Sequence, residues 1–270
     1  MNRRFRYLVA TTTLFVFTTI LLGVATKTYG AGLACHARWP VCDGGLLNLF
    51  PKSFPSFFEW IHRVVAGIGG LFIVGSAIES WRRETPDRIR YALTLGAALT
   101  PLQVLLGQQT VVNFGTAAIL TAHFWTAFTI FGAFAFALAA TWADRIGPTR
   151  LAIGAVGALV LFPVNVLLTP PFVSSYTPVL ATLQYAVLLL LVLAILALVV
   201  VGREKLSGMY RHAPLVAVVV LPVTVYLGRH LIAASTLHRV SYLLAGLVVY
   251  GALVASAVGL WRADPETIGV

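Results

Sequence analysis

Residues 187–201 read VLLLLVLAILALVVV, an uninterrupted apolar run within a longer segment, 179–201, that carries no charged residue. A helix needs about 20 predominantly apolar residues to cross the hydrocarbon core of a bilayer. Seven more segments meet this requirement, at roughly 8–27, 57–79, 91–112, 117–141, 151–169, 213–231 and 237–260. Because only helices satisfy their own backbone hydrogen bonds over such lengths in lipid, the sequence predicts an all-α polytopic membrane protein with eight transmembrane helices.

The composition excludes a soluble domain. Of the 270 residues, 59% are hydrophobic and 10% are charged, and the mean hydropathy is +0.89. No soluble domain of this size buries so much apolar surface. The 19 Lys and Arg exceed the 9 Asp and Glu, but they lie in short connections rather than in a basic stripe with aromatics, so we expect no nucleic-acid partner.

The basic residues also predict the orientation. Cytoplasmic connections carry an excess of Lys and Arg, and the basic residues here precede the first segment, follow the last, or lie in every second connection. They are Arg3, Arg4, Arg6, Arg82, Arg83, Arg88, Arg90, Arg145, Arg150, Arg203, Lys205, Arg211 and Arg262. Lys27, Arg38 and Lys52 lie clearly in loops on the other side. We therefore expect a multi-pass protein of the plasma membrane with both termini in the cytoplasm, and we interpret the first segment as a retained helix.

The even number of segments and a weak internal match indicate two pseudo-symmetric four-helix halves, residues 1–145 and 146–270. Gly107 precedes His123 by sixteen residues, and Gly228 precedes His238 by ten, in a similar local sequence. Repeated halves are common in membrane proteins, and their sites lie within or between the halves.

Two histidines at matching depth suggest a haem site. His62 begins the second span and His123 begins the fourth, so both imidazoles are expected in the outer part of the bilayer. Neutral imidazole ligates haem iron, and we expect Gly67, Gly69 and Gly70 to make room for a porphyrin below His62. The alternative for each histidine is a hydrogen-bonded interior group or an interfacial residue whose polar tip reaches water.

Glu59 and Arg63 flank His62 in the stretch EWIHR, residues 59–63. An ionisable group at membrane depth is a candidate functional residue. Glu59 could orient the imidazole, act as a base, or stabilise positive charge on a substrate; it could also be an acid favoured by the helix dipole. Arg63 could pair with a haem propionate or anchor the helix at the interface.

The two cysteines of the chain, Cys35 and Cys42, lie in one loop on the side opposite the basic residues. Two are too few for the usual zinc site of four protein ligands. A disulfide suits the oxidising side of a membrane. It could be structural or could exchange with a partner thiol.

Three stretches together resemble the haem A synthase family: GAGLAC at 30–35, WPVCDG at 39–44 and EWIHR at 59–63. The resemblance extends to the whole chain in span number, repeat organisation and loop character. It implies an eight-helix oxidoreductase that converts the C8 methyl of haem O to the formyl of haem A for terminal oxidases. Haem O synthase and an electron-transfer protein are then the expected partners.

The resemblance also implies roles for individual residues. His62 and His123 would ligate the haem O or haem A at the catalytic site in the N-terminal half. Glu59 would be essential to the oxidation, with Arg63 as a haem-binding residue, and Cys35 and Cys42 would form the disulfide of the outer loop.

The C-terminal half departs from the family pattern of a second histidine pair that holds a haem b. His238 matches one member of that pair, as a haem-iron ligand. The other member should open the sixth span, but residues 182–186 read TLQYA and contain no histidine. Tyr185 aligns best with His62, and His230 is a nearby alternative. A haem b at this site is therefore an open question.

Two other functions fit parts of the sequence. A non-catalytic b-type cytochrome that passes electrons to a quinone or a partner protein would need two complete histidine pairs across the membrane. A transporter would have helices broken at mid-membrane in both halves; Pro163 and Pro222 are candidate kinks, but neither accompanies a charged group.

Overall fold

The computed structural model describes residues 1–35, 42, 51, 53–112, 116–231 and 235–263. Eight long helices account for most of them and confirm the predicted fold class. They are α1 (Arg3–Thr28), α2 (Phe54–Arg82), α3 (Asp87–Val112), α4 (Ala117–Thr141), α5 (Pro148–Leu167), α6 (Pro178–Ala197), α7 (Ala213–Arg229) and α8 (Thr236–Ala263). The described part of the chain contains no strand.

All eight spans are long and apolar enough to cross a membrane. Many of their large apolar side chains are exposed, including Leu71, Val219 and Leu247 at 76%, 69% and 66%. Such surfaces are rare on soluble monomers, and in a membrane protein they contact lipid. The chain is a multi-pass membrane protein.

Local sequence sets several helix ends. The side chain of Asn2 accepts a hydrogen bond from the backbone N–H of Arg4 at the start of α1, and Ser53 caps α2 in the same way. Such caps satisfy N–H groups that have no partner within the helix. Gly30 has φ +68 just after α1, a conformation that glycine adopts without steric cost.

The sixth helix continues beyond its regular α-helical part, Pro178–Ala197. It passes into a π-helical turn at Leu198–Gly202 and ends at Arg203–Lys205. The expected prolines lie inside helices, Pro163 in α5 and Pro222 in α7, and Pro101 lies inside α3.

The chain divides into two compact units. The N-terminal unit comprises Met1–Leu138 with Thr177–Thr182, and the C-terminal unit comprises Ala139–Tyr176 with Leu183–Val270. The expected boundary between residues 145 and 146 stays a prediction.

Small and hydroxyl-bearing residues allow the helices of the N-terminal unit to pack closely. The hydroxyls of Thr12 and Ser76 are 2.8 Å apart and join α1 to α2. A Cβ added to Gly96 of α3 would lie 2.5 Å from the ring of Phe134, which is fully buried in α4. Close contact through small residues is typical of helix association in membranes, where lipid is as apolar as the helix surface.

Candidate functional site

The two predicted histidine ligands lie in the N-terminal unit, each against a glycine of the preceding helix. A Cβ at Gly23 of α1 would stand 3.0 Å from Cε1 of His62 on α2. A Cβ at Gly107 of α3 would stand 3.2 Å from Cε1 of His123 on α4. Both rings therefore occupy the space that a larger residue would fill, and the neighbouring helix restricts their orientation.

The imidazoles of His62 and His123 share a second feature. In both rings Nδ1 is buried and has no hydrogen-bond partner among the described residues. A buried polar atom without a partner is costly, and in a native structure it calls for an explanation such as a ligand.

Gln103 is a site residue that the sequence did not reveal. Its Nε2 lies 3.4 Å from Nε2 of His123, and its Oε1 is buried without a hydrogen-bond partner in the described structure. Gln103 precedes Gly107 by four residues, so the two share one face of α3. That spacing is the signal that could have identified it.

Glu59 is buried, at 2% exposure, near the first turns of α2. One carboxylate oxygen accepts a hydrogen bond of 2.9 Å from the backbone N–H of Cys35. The other forms an ion pair with Arg63 one turn further along the helix. The sequence placed Arg63 at a propionate or at the interface; in the structure its guanidinium pairs with Glu59.

Cys35 and Cys42 form a disulfide, and both are buried. The hydroxyl of Ser56 donates to the carbonyl of Ala34 at 3.0 Å, so the segment before the disulfide is tied to the start of α2. Together with the Cys35–Glu59 hydrogen bond, this contact joins the cysteine loop to the candidate acid. Residues 39–41, 43 and 44 of the loop motif, and Arg38 and Lys52, lie outside the described residues.

The glycines below His62 behave differently from one another. Gly67 and Gly70 have nothing within 4 Å of an added Cβ, in agreement with the expected open space. An added Cβ on Gly69 would lie 3.4 Å from Cβ of Phe15 on α1, an ordinary contact distance. Room for a ring below His62 stays a prediction.

A haem fits the donors of the N-terminal unit. His62 and His123 lie on two different helices of one compact unit, and each has a buried nitrogen without a partner among the described residues. Imidazole nitrogen is a common axial ligand of haem iron. A site for a non-haem metal is a different case. No group of three or more His, Cys, Asp or Glu that could hold a metal ion occurs among the described residues.

The candidate ligands of the C-terminal unit are already hydrogen-bonded. Nε2 of His238 lies 2.8 Å from the carbonyl oxygen of Leu227, and Nδ1 of His230 lies 2.9 Å from the carbonyl of Tyr226. Gly228, the counterpart of Gly107 in the sequence match, contacts a different residue. A Cβ at Gly228 would meet the ring of Tyr242, at 3.2 Å, because Tyr242 lies one helical turn further along α8.

Comparisons with known proteins give relatives for part of the chain. A family model described as cytochrome oxidase assembly protein matches residues 6–169, which end before the candidate residues of α6, α7 and α8. A protoheme IX farnesyltransferase of Halobacterium salinarum is 36% identical over 132 residues, 49% of this chain and 29% of that protein. A heme A synthase of Bacillus licheniformis is 30% identical over 126 residues, 46% of this chain and 41% of that protein. A heme A synthase of Bacillus pumilus is 33% identical over 122 residues, 43% of this chain and 38% of that protein. The chain thus spans less than half the length of these curated relatives.

Proposed function

Because the chain belongs to the cytochrome oxidase assembly protein family, we propose that it is a haem A synthase-like membrane oxidoreductase. Its substrate is haem O, whose C8 methyl group it converts to the formyl group of haem A. The heme A synthases among its relatives support this reaction. The names of the relatives also agree in the ligand, since the farnesyltransferase is named for a haem as well.

The observation that carries the proposal is the pair of imidazoles in the N-terminal unit. His62 and His123 would hold the haem iron, and a glycine of the preceding helix would restrict the orientation of each ring. The bound haem supplies the oxidising chemistry, while the protein supplies binding, orientation and electrostatics.

Glu59 is proposed as the residue that assists the oxidation. Conversion of a methyl to a formyl group releases protons, and a buried carboxylate one helical turn from a ligand histidine can accept one. The Cys35 N–H and the Arg63 guanidinium hold both of its oxygens. They fix the direction of the carboxylate, and the disulfide fixes the backbone that carries the N–H.

The membrane setting is part of the same proposal. The basic connections would face the cytoplasm of a cell whose plasma membrane holds the protein, and the disulfide would lie on the opposite, oxidising side. Haem O synthase is the proposed source of the substrate, and an electron-transfer protein is the proposed redox partner.

A non-catalytic b-type cytochrome is less well supported. Transmembrane electron transfer between two haems would need a second pair of available ligands. In the C-terminal unit the ring nitrogen of His238 is already hydrogen-bonded to Leu227.

The test uses membranes that contain the parent protein or a variant, supplied with haem O, with extracted haems separated by chromatography. His62→Ala should lose bound haem and haem A formation together. Glu59→Gln should keep bound haem and lose about 10²–10⁴-fold in rate, the range for general acid–base catalysis. His212→Ala, at an exposed position, is the matched control. Parental rates of haem A formation in both His62→Ala and Glu59→Gln would show the proposal to be wrong.

A further inference from the structure

A tyrosine occupies in the C-terminal unit the position that a histidine occupies in the N-terminal unit. The distance from an added Cβ at Gly228 to the ring of Tyr242 is 3.2 Å, equal to the distance from Gly107 to the ring of His123. Tyr242 is 4% exposed. The phenol ring of Tyr242 thus packs against Gly228 as the imidazole of His123 packs against Gly107 in the other unit.

The second ligand position is also taken by a phenol. Tyr185 is the residue that aligns with His62, and Arg229 donates a hydrogen bond of 2.8 Å to its hydroxyl. This contact joins α6 to the end of α7.

Gln184, beside Tyr185, closes the network toward α5. The hydroxyl of Tyr176 donates to Oε1 of Gln184 at 2.5 Å, and Nδ2 of Asn165 donates to the Gln184 carbonyl at 3.0 Å. Burial raises the pKa of the Tyr176 hydroxyl, which therefore stays protonated and remains a donor at neutral pH.

His238 is engaged in the same way. A carbonyl oxygen can only accept a hydrogen bond, so the contact between Nε2 and Leu227 places a proton on that nitrogen. A protonated nitrogen has no lone pair for iron. In the N-terminal unit Nε2 of His123 also has a polar neighbour, Gln103 at 3.4 Å, but Nδ1 of His62 and of His123 are buried without a hydrogen-bond partner among the described residues.

We propose that this chain binds a single haem, in the N-terminal unit, and that its C-terminal unit is a haem-free scaffold closed by hydrogen bonds. A second haem held at these positions would have to break the Tyr185–Arg229 and His238–Leu227 contacts together. Polar groups left unsatisfied at low dielectric are costly, so a closed network of this kind resists opening. The inference rests on the proposed function for the first haem only, and it requires the redox partner to exchange electrons with that haem directly.

The experiment counts haems. The full chain is purified in detergent and saturated with haem B, and bound haem is measured by pyridine haemochrome against protein from amino-acid analysis. We expect one haem per chain for the parent and the same ratio for His238→Ala and for Tyr185→Phe. Two haems per chain, or a ratio that falls in His238→Ala, would overturn the inference.

A second measurement replaces a ligand instead of removing it, so the protein need not tolerate a missing ligand. In His62→Met the altered axial ligand should change the electron paramagnetic resonance spectrum of all the bound haem. A parental component that persists beside the altered one would place haem elsewhere and overturn the inference.

The possible outcomes distinguish failure of the single-haem inference from failure of the proposed reaction. A parent that takes up no haem overturns both of them. A parent that holds one haem in the N-terminal unit but does not oxidise haem O refutes the proposed reaction and supports the single-haem inference.

Discussion

One methyl group at Gly107 should weaken haem binding. The added Cβ of Gly107→Ala would stand 3.2 Å from Cε1 of His123. Carbon atoms in contact settle at about 3.5–4.0 Å, so the ring must retreat by about 0.3–0.8 Å. Residues that orient a metal ligand change metal affinity by about 10–100-fold when they are altered. We expect a loss of haem affinity in this range.

The same substitution in the other unit is the matched control. Gly228→Ala places a Cβ 3.2 Å from the ring of Tyr242, the same distance as in Gly107→Ala. The steric overlap is therefore equal, but no haem is expected at this position. Overpacking costs about 1–3 kcal/mol, while alanine in place of glycine returns about 1 kcal/mol within a helix. Both variants should therefore lose about 0–2 kcal/mol of stability.

The assay is a titration of each purified variant with haem, followed by the Soret absorbance, together with its thermal unfolding midpoint. Gly107→Ala should bind haem more weakly than Gly228→Ala at a similar midpoint. Equal haem affinity in the two variants would refute the inference that Gly107 orients the imidazole of His123 as a haem ligand. Gly23→Ala, where the contact is 3.0 Å, should be at least as damaging as Gly107→Ala.

Four further substitutions, one of them a control, test the rest of the N-terminal unit. Arg63→Met removes the partner of a buried carboxylate, so thermal unfolding should show a loss of about 3 kcal/mol, whereas an unchanged midpoint would mean that Glu59 is paired by other means. Cys42→Ser opens a short covalent loop and should cost about 2–3 kcal/mol; the reduced parent should unfold at the same temperature as this variant, and unequal midpoints would contradict the prediction. Gly96→Ala should be destabilising by about 1–2 kcal/mol because the aromatic ring it would meet is fully buried, while Gly75→Ala, with open space around it, should be neutral or stabilising in the same unfolding assay.

The helices were predictable because lipid leaves the chain few alternatives. The segment expected at 117–141 coincides with α4, and the others agree within several residues. Backbone groups must be satisfied internally in hydrocarbon, so apolar length alone locates a span. The π-helical turn at Leu198–Gly202 was not predictable, since apolar composition does not distinguish it from the regular helix before it.

Side-chain contacts were harder to predict than the helices. The ion pair of Glu59 with Arg63 lies at a spacing of four residues on one helix, although the sequence placed Arg63 at a propionate or at the interface. The contact of Glu59 with Cys35 joins residues 24 apart, and the contact of Gly23 with His62 joins two helices. Such contacts depend on how each helix is rotated about its own axis, which the sequence pattern does not specify.

The residue that contacts Gly228 was not predictable for the same reason. The sequence match places His238 ten residues after Gly228, whereas α8 begins at Thr236 and presents the ring of Tyr242 to the glycine. A choice between residues one turn apart on the same face needs the relative height of two helices, and hydropathy gives that height only to within several residues.

Because each imidazole packs against a glycine of the preceding helix, its orientation depends on two helices and not only on its own side chain. Sliding α1 along α2, or α3 along α4, by a fraction of a turn would turn the ring even if its own helix stayed intact. Anyone who transplants this histidine pair into another bundle must therefore carry over the neighbouring backbones as well. Two histidines at the right depth would otherwise be free to swing.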